Sequence, residues 1–220
     1  MTIAEQVGAV RNEVAEACRK AGRDAQNVRL IAVTKSQGPE VLAALVAAGI
    51  TAVGENRLEH HAVMHAAAPP GLAFHAIGRL QSRQLAKLLP LSSCFHGLCE
   101  ADHLTKLARA CSEQGRRVEV FIQVNTSGEP AKAGVTAEAL PAILDHARSL
   151  SQLDVMGLMT MAPERDEGAS ETAIRSCFAR CRELGRRHGL ERLSMGMSQD
   201  FIWAVEEGAT NVRVGTRIFS

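Results

Sequence analysis

The sequence predicts an α/β protein: a single (β/α)8 barrel of the TIM type with an extra helix at its N-terminal end. Three observations carry that reading. Short β-branched or apolar runs alternate strictly with longer amphipathic stretches, the runs number eight, and polar, potentially reactive residues gather just after them. Eight parallel strands close a barrel, and such barrels keep their chemistry in the loops that follow the strands. A doubly wound open sheet shares the alternation and is the competing architecture, because periodicity does not state whether a sheet closes. With 220 residues, 46% of them hydrophobic, one domain spanning 1–220 is the economical organisation. No repeat, low-complexity segment or linker divides it.

Taken in order, the elements begin with a helix over about 2–21 that ends near Gly22. Strands are expected at 28–34 (VRLIAVT), 51–54, 73–77, 94–98, 118–124 (VEVFIQV), 153–159, 192–196 and 211–214 (NVRV). Helical patterns at 39–49, 57–67, 82–90, 101–115 and 138–150 each carry the apolar stripe that packs a helix on a sheet. The last strand is followed only by GTRIFS, too short for a full helix, so the N-terminal helix is expected to fill the eighth gap in the outer ring.

Composition removes several classes of function. The 25 Lys+Arg and 24 Asp+Glu leave 25 − 24 = +1, so no global field recommends nucleic acid or an anionic membrane. Aromatic residues make up 3%, too few for a base-stacking platform. Six cysteines at 18, 94, 99, 111, 177 and 181 form no Cys-x-x-Cys pair and no secreted disulfide framework. Neither an export signal nor a membrane-length apolar run is evident, which makes a cytoplasmic protein the expectation. The chain contains no Tyr, so no phenol can act in it as a base or a phosphate ligand.

Candidate site residues follow from the ends of the strands. Only five lysines occur (20, 35, 87, 106 and 132) against twenty arginines, and Lys35 alone closes a strand, after LIAVT. Partial desolvation at a pocket mouth would favour its neutral amine, the nucleophile of Schiff-base chemistry; an ordinary charge closing a strand is the plain alternative. SMGMSQDF and VRVGTRIF follow strands seven and eight, where such barrels often hold phosphate. Gly196 and Gly215 allow close backbone approach there, and Ser198 and Thr216 supply hydroxyls. Ser198 is equally suited to cap a helix over 199–207. Arg213, between two valines of a covered strand, needs an acceptor, either a salt bridge inside the barrel or the ring nitrogen of a cofactor. His60, His61 and His65 lack the partners of a metal motif, and no glycine-rich nucleotide fingerprint is present. No metal is therefore expected. His75 suits either the core or the edge of a ligand ring.

These segments resemble a known family, the pyridoxal phosphate homeostasis proteins of the YggS/PROSC type. AVTKSQ (32–37), GEN (54–56), HAIGRLQS (75–82), QVNTSGEPAKAGV (123–135), GLMTMAP (157–163) and LSMGMSQDFIWAVEEGATNVRVGTRIF (193–219) stand in the family's order along nearly the whole chain. The resemblance implies a barrel similar to the N-terminal domain of alanine racemase, with pyridoxal 5'-phosphate (PLP) held as a Schiff base on Lys35. By matched position it implies that Ser198, Gly215 and Thr216 hold the phosphate, that Arg213 approaches the pyridine nitrogen, and that Asn56, His75 and Met197 line the site. Departures from the usual pattern fall at Arg57, Ala76, Arg83, Gln84, Arg217 and Ser220.

Whether turnover follows binding is a separate question. Two-domain racemases of this kind use a second base, a Tyr from an additional domain, and this chain has no Tyr. An Arg at the ring nitrogen also disfavours the protonated ring that serves as an electron sink. The expectation is thus a protein that binds PLP and takes part in vitamin B6 and amino-acid homeostasis, as a monomer or weak dimer, with PLP-dependent apo-enzymes as possible recipients. A low-activity amino-acid racemase is the alternative.

Overall fold

The computed structural model describes residues 1–129, 132–164 and 168–220. Residues 130 and 131, inside the QVNTSGEPAKAGV stretch, therefore lie outside the description. Eight parallel strands form a closed barrel in sequence order: β1 (Arg29–Val33), β2 (Ala52–Glu55), β3 (Ala73–Ala76), β4 (Cys94–Leu98), β5 (Val118–Gln123), β6 (Leu153–Met159), β7 (Arg192–Ser194) and β8 (Asn211–Val214). Closure comes from β1 on β8, with Arg29 beside Asn211 and Ala32 beside Val214. This excludes the open sheet. Both faces of each strand are covered, which is why the strands read as near-continuous apolar runs.

The helices α2 (Val41–Ala47), α3 (Leu58–Ala66), α4 (Ser82–Leu88), α5 (Ala101–Glu113), α6 (Leu140–Ser149), α7 (Glu171–Arg187), α8 (Phe201–Glu206) and α9 (Thr216–Phe219) follow α1 (Ile3–Lys20) in the chain. The main hydrophobic core lies between strands and helices, and a separate cluster of Cys94, Phe121 and Met159 sits apart from it. No helix among the described residues is long and apolar enough to cross a membrane.

α1 shows how a helix reaches the ring. Thr2 and Glu5 form a capping box, Glu5 N–H donating to Thr2 Oγ1 and Thr2 N–H to Glu5 Oε2. Val7, Val10, Val14 and Ala17, spaced three or four apart, bury one face against α2, α8 and α9. A cap contributes about 1 kcal/mol and each fully buried Val about 1.5 kcal/mol or more, so packing dominates. As expected, α1 fills the gap left by the short α9. Arg11 fastens it by donating to the carbonyls of Ala48 (2.8 Å) and Gly49 (2.6 Å) at the end of α2.

Candidate functional site

Among the described residues one cavity of about 510 Å3 lies by Cys111, Arg116 and Gln152, away from every candidate residue, and two others open at opposite ends of the barrel. The larger, about 960 Å3, lies by the strand starts and α1, bounded by Arg11, Arg29, Arg192 and Asn211. The smaller, about 360 Å3, lies at the C-terminal strand ends and collects the candidate residues. Size ranks them one way and chemistry the other; chemistry decides, because only the second brings a lysine, hydroxyls and a buried guanidinium to one space. Lys35, Asn56, Met197, Ser198, Arg213, Gly215 and Thr216 all line it. Residues as far apart in sequence as 35 and 216 meet there because barrel closure sets β1 beside β8.

Lys35 leaves β1 after the buried Thr34 and is itself exposed at the cavity mouth. The desolvation expected from its place at a strand end is therefore not what the structure gives it. Ser198 also departs from one of its two readings. Asp200, not Ser198, occupies the cap position of α8, and its Oδ1 accepts from Met197 N–H at 2.5 Å, closing the 197–200 turn. Ser198 Oγ instead accepts from Gly215 N–H at 3.0 Å, joining the loops after β7 and β8. A hydroxyl that accepts one bond keeps its own proton to donate.

Gly196 serves helix packing rather than approach by a ligand. Its φ is +91°, and a Cβ there would stand 2.6 Å from the Ala204 Cβ of α8. Gly215 has a looser constraint, with a Cβ meeting Val33 O at 3.1 Å.

Arg213 is 4% exposed, and Nη1 donates to Ser194 Oγ at 2.5 Å while Nη2 donates to Thr160 O at 3.2 Å. Both acceptors are neutral, and no ion pair of Arg213 exists among the described residues, so the salt bridge allowed by the sequence is not formed. Burial lowers its pKa to about 10, against the charge of Asp200, and it stays a cation at neutral pH. Burial also raises the Asp200 carboxyl, opposed by the Met197 N–H and by Arg213.

Behind Arg213 a polar chain descends into the barrel. Ser194 Oγ lies 2.7 Å from His96 Nδ1, and His96 Nε2 lies 3.0 Å from His75 Nδ1. His96 stacks on Phe121 with ring centroids 4.6 Å apart. Burial lowers His75 to about 4 and His96 well below its ordinary value, so both rings are neutral at pH 7. His75 thus corrects one expectation. It is 1% exposed, its cavity-lining neighbour is Ile77, and His75 lies beneath the cavity in the interior chain. With Cys94, these two histidines place potential ligand atoms within 4.8 Å of one another, a grouping that sequence spacing did not suggest.

The other histidines disperse. His61 is buried, with Nε2 3.1 Å from Leu91 O and its ring on Phe74, while His65 meets the edge of the same Phe74 ring. His60 turns the opposite way, to Glu55 and Gln37. Of the departures from the family pattern, Arg217 pairs with Glu13 of α1 and lies over the Phe201 ring, tying the C-terminal end to the N-terminal helix. The sequence offered Thr160 and Asp200 only as polar residues after strands six and seven, without a role, and did not single out Ser194; these three hold Arg213 and the 197–200 turn. Thr160 holds Arg213 through its backbone carbonyl, which no side-chain pattern signals, and Ser194 shows only as a polar residue inside a strand.

A closed barrel with a lysine, a hydroxyl-bearing loop pair and a buried cation sharing one cavity defines a (β/α)8 small-molecule-binding protein. A family profile described as alanine racemase, N-terminal domain, matches residues 6–220. The chain is 39% identical to the pyridoxal phosphate homeostasis protein of Pseudomonas aeruginosa, covering 99% of this chain and 95% of that one. PipY of Synechococcus elongatus, solved with PLP bound, superposes with a TM-score of 0.86 at 32% identity over 100% of both chains. An alanine racemase of Clostridium difficile shares the fold, with a TM-score of 0.77 at 13% identity over 98% of this chain and 56% of that one. The chain belongs to the alanine racemase N-terminal domain family and, within it, to the pyridoxal phosphate homeostasis proteins.

Proposed function

We propose that this chain binds pyridoxal 5'-phosphate on Lys35 and acts in intracellular PLP and amino-acid homeostasis as a holder of the cofactor, without robust turnover. The observation that carries the reading is the meeting of Lys35, Ser198, Thr216 and Arg213 in one cavity of about 360 Å3, within the size range of small-molecule sites. The donor set fits such a group: hydroxyls of Ser198 and Thr216 suit a phosphate, and a buried cation that among the described residues has only neutral acceptors suits an unprotonated ring nitrogen.

PLP supplies an aldehyde that condenses with an amine, losing water, and a ring that can withdraw electrons. Lys35 provides the amine at the cavity mouth. Asp200 and Ser198 fix the loops that carry the phosphate donors. Arg213, held by Ser194 and Thr160, keeps a positive charge facing the cavity and so opposes protonation of a ring nitrogen placed there. That weakens electron withdrawal, and the chain has no Tyr to serve as a second base. Both features favour retention over turnover. The reading includes a barrel spanning 1–220, as a monomer or weak dimer, with PLP-dependent apo-enzymes as candidate recipients.

The test is the visible spectrum of the purified protein with added PLP, before and after borohydride reduction, alongside Lys35→Ala. A visible band in the wild type, fixed by reduction onto the Lys35 peptide and absent from the variant, supports binding on Lys35. No uptake by the wild type overturns it. Deuterium exchange at the α-carbon of amino acids in D2O, sustained by the wild type and lost in Lys35→Ala, would overturn the non-catalytic part and make the protein a racemase-like enzyme.

A further inference from the structure

The segment carrying Lys35 is held on both sides by one buried carboxylate and one imidazole. Glu55, at the end of β2, is 1% exposed, and Thr34 Oγ1 donates to its Oε1 from the residue before Lys35. His60, in the first turn of α3, sets Nδ1 2.8 Å from Glu55 Oε2 and Nε2 2.9 Å from the carbonyl of Gln37, two residues after Lys35. Gln37 N–H in turn donates to Thr34 O at 2.8 Å, so residues 34–37 form a turn braced at each end.

The proton count of this arrangement is fixed by its acceptors. The Gln37 carbonyl carries no hydrogen, so Nε2 must donate. The Nδ1 to Oε2 contact then needs one more proton, carried by the ring or by the carboxyl. The Glu55–His60 pair therefore holds one proton more than a carboxylate beside a neutral imidazole. Without it the ring has a single N–H for two oxygens, and one contact becomes a meeting of lone pairs.

We propose that Glu55 and His60 form a one-proton clamp on the Lys35 segment, which makes His60 a positioning residue through which cofactor retention responds to pH. This rests on the reading of Lys35 as the amine that takes PLP. The titratable and charged neighbours acting on the ring are Glu55 from β2 and Arg57 from the loop between β2 and α3, and the ring in turn acts on His61 of its own helix. The hydrogen bond to Glu55 raises the pKa of His60 above its ordinary 6.5, while Arg57 opposes. The clamp is thus closed below that ordinary value and opens as pH rises through the raised one. A segment held in its competent position for a tenth of the time lowers apparent affinity about tenfold.

The test compares wild type with His60→Gln, whose amide offers a donor nitrogen and an acceptor oxygen but does not titrate. PLP dissociation constants are measured from the visible band between about pH 6 and about pH 9. Nitrogen-15 NMR of the apo protein reports the ring protons of His60, and hydrogen exchange reports the Gln37 amide. The proposal expects the variant to bind about tenfold more weakly at the acidic end, with the ratio collapsing towards one at the alkaline end. It also expects a doubly protonated ring or a proton shared with Glu55 at pH 7, and faster Gln37 exchange in the variant. A ratio constant with pH, or a His60 that loses this proton below pH 6.5 with Gln37 exchange unchanged, overturns it. If the wild type shows no visible band at any pH, the Lys35 reading fails, and the NMR and exchange measurements still decide the clamp.

Discussion

Ser194→Ala tests the internal support of Arg213 most directly. The hydroxyl accepts from Arg213 Nη1 at 2.5 Å and meets His96 Nδ1 at 2.7 Å, with all three residues buried. A hydrogen bond to a charged group contributes about 1.5–3 kcal/mol, and leaving a buried ring nitrogen unpaired costs about 1–3 kcal/mol. The expected loss is therefore about 2.5–6 kcal/mol, a large part of the roughly 5–15 kcal/mol that holds a domain folded. Urea unfolding measures it as a fall in midpoint at unchanged slope. In an Arg213→Met background the charge is gone and only the His96 contribution remains, so the same substitution should cost less by about 1.5–3 kcal/mol. A loss under about 1 kcal/mol in the wild type, or equal losses in both backgrounds, would refute the account of Arg213 as a cation held by neutral acceptors.

Gly196→Ala forces a Cβ to within 2.6 Å of Ala204 Cβ and 2.9 Å of Phe201 Cα at φ +91°, and should cost about 2–4 kcal/mol. Gly22→Ala, at φ +66° with open space around it, should cost only about 1 kcal/mol; thermal melts of the pair separate clash from backbone conformation, and equal shifts would contradict the packing role. Stability should also fall as pH drops from about 6.5 to about 4. His61 and His75 are lowered to about 4 and His96 further, so in that window the unfolded chain binds protons that the native rings refuse. His61 and His75 each then forfeit up to about 3 kcal/mol, and His96 adds to the fall in the same direction. Asp200, raised, acts with the opposite sign and only partly offsets three histidines, while the contribution of His60, raised above 6.5, is lost above this window rather than within it. Urea midpoints that stay level across this range would show that the buried rings take up protons without cost.

Much of the fold was legible in the chain because a barrel strand covered on both faces is a local pattern. The runs at 94–98, 153–159 and 211–214 became β4, β6 and β8 with the same bounds, and the others shifted by one or two residues at their ends. Lys35, Ser198, Gly215 and Thr216 were readable for a related reason: each follows a strand, and the rule that a barrel's chemistry follows its strands needs only strand order. The short α9 and the docking of α1 beside it were likewise implied by the missing length after β8.

What the sequence could not determine depends on which side chains share the interior. Whether the sheet closes rests on β1 meeting β8, residues about as distant as the chain allows. That closure aligned Arg213 with Ser194 and Thr160 rather than a carboxylate, and stacked His96 on Phe121 and under Arg213, drawing His75 into the interior instead of to the cavity wall. It also turned His60 from a weak metal candidate into the brace of the Lys35 segment. Periodicity assigns a residue to a face of its own strand, but a hydrogen bond between neighbouring or facing strands depends on register and barrel curvature, which no local window of sequence contains.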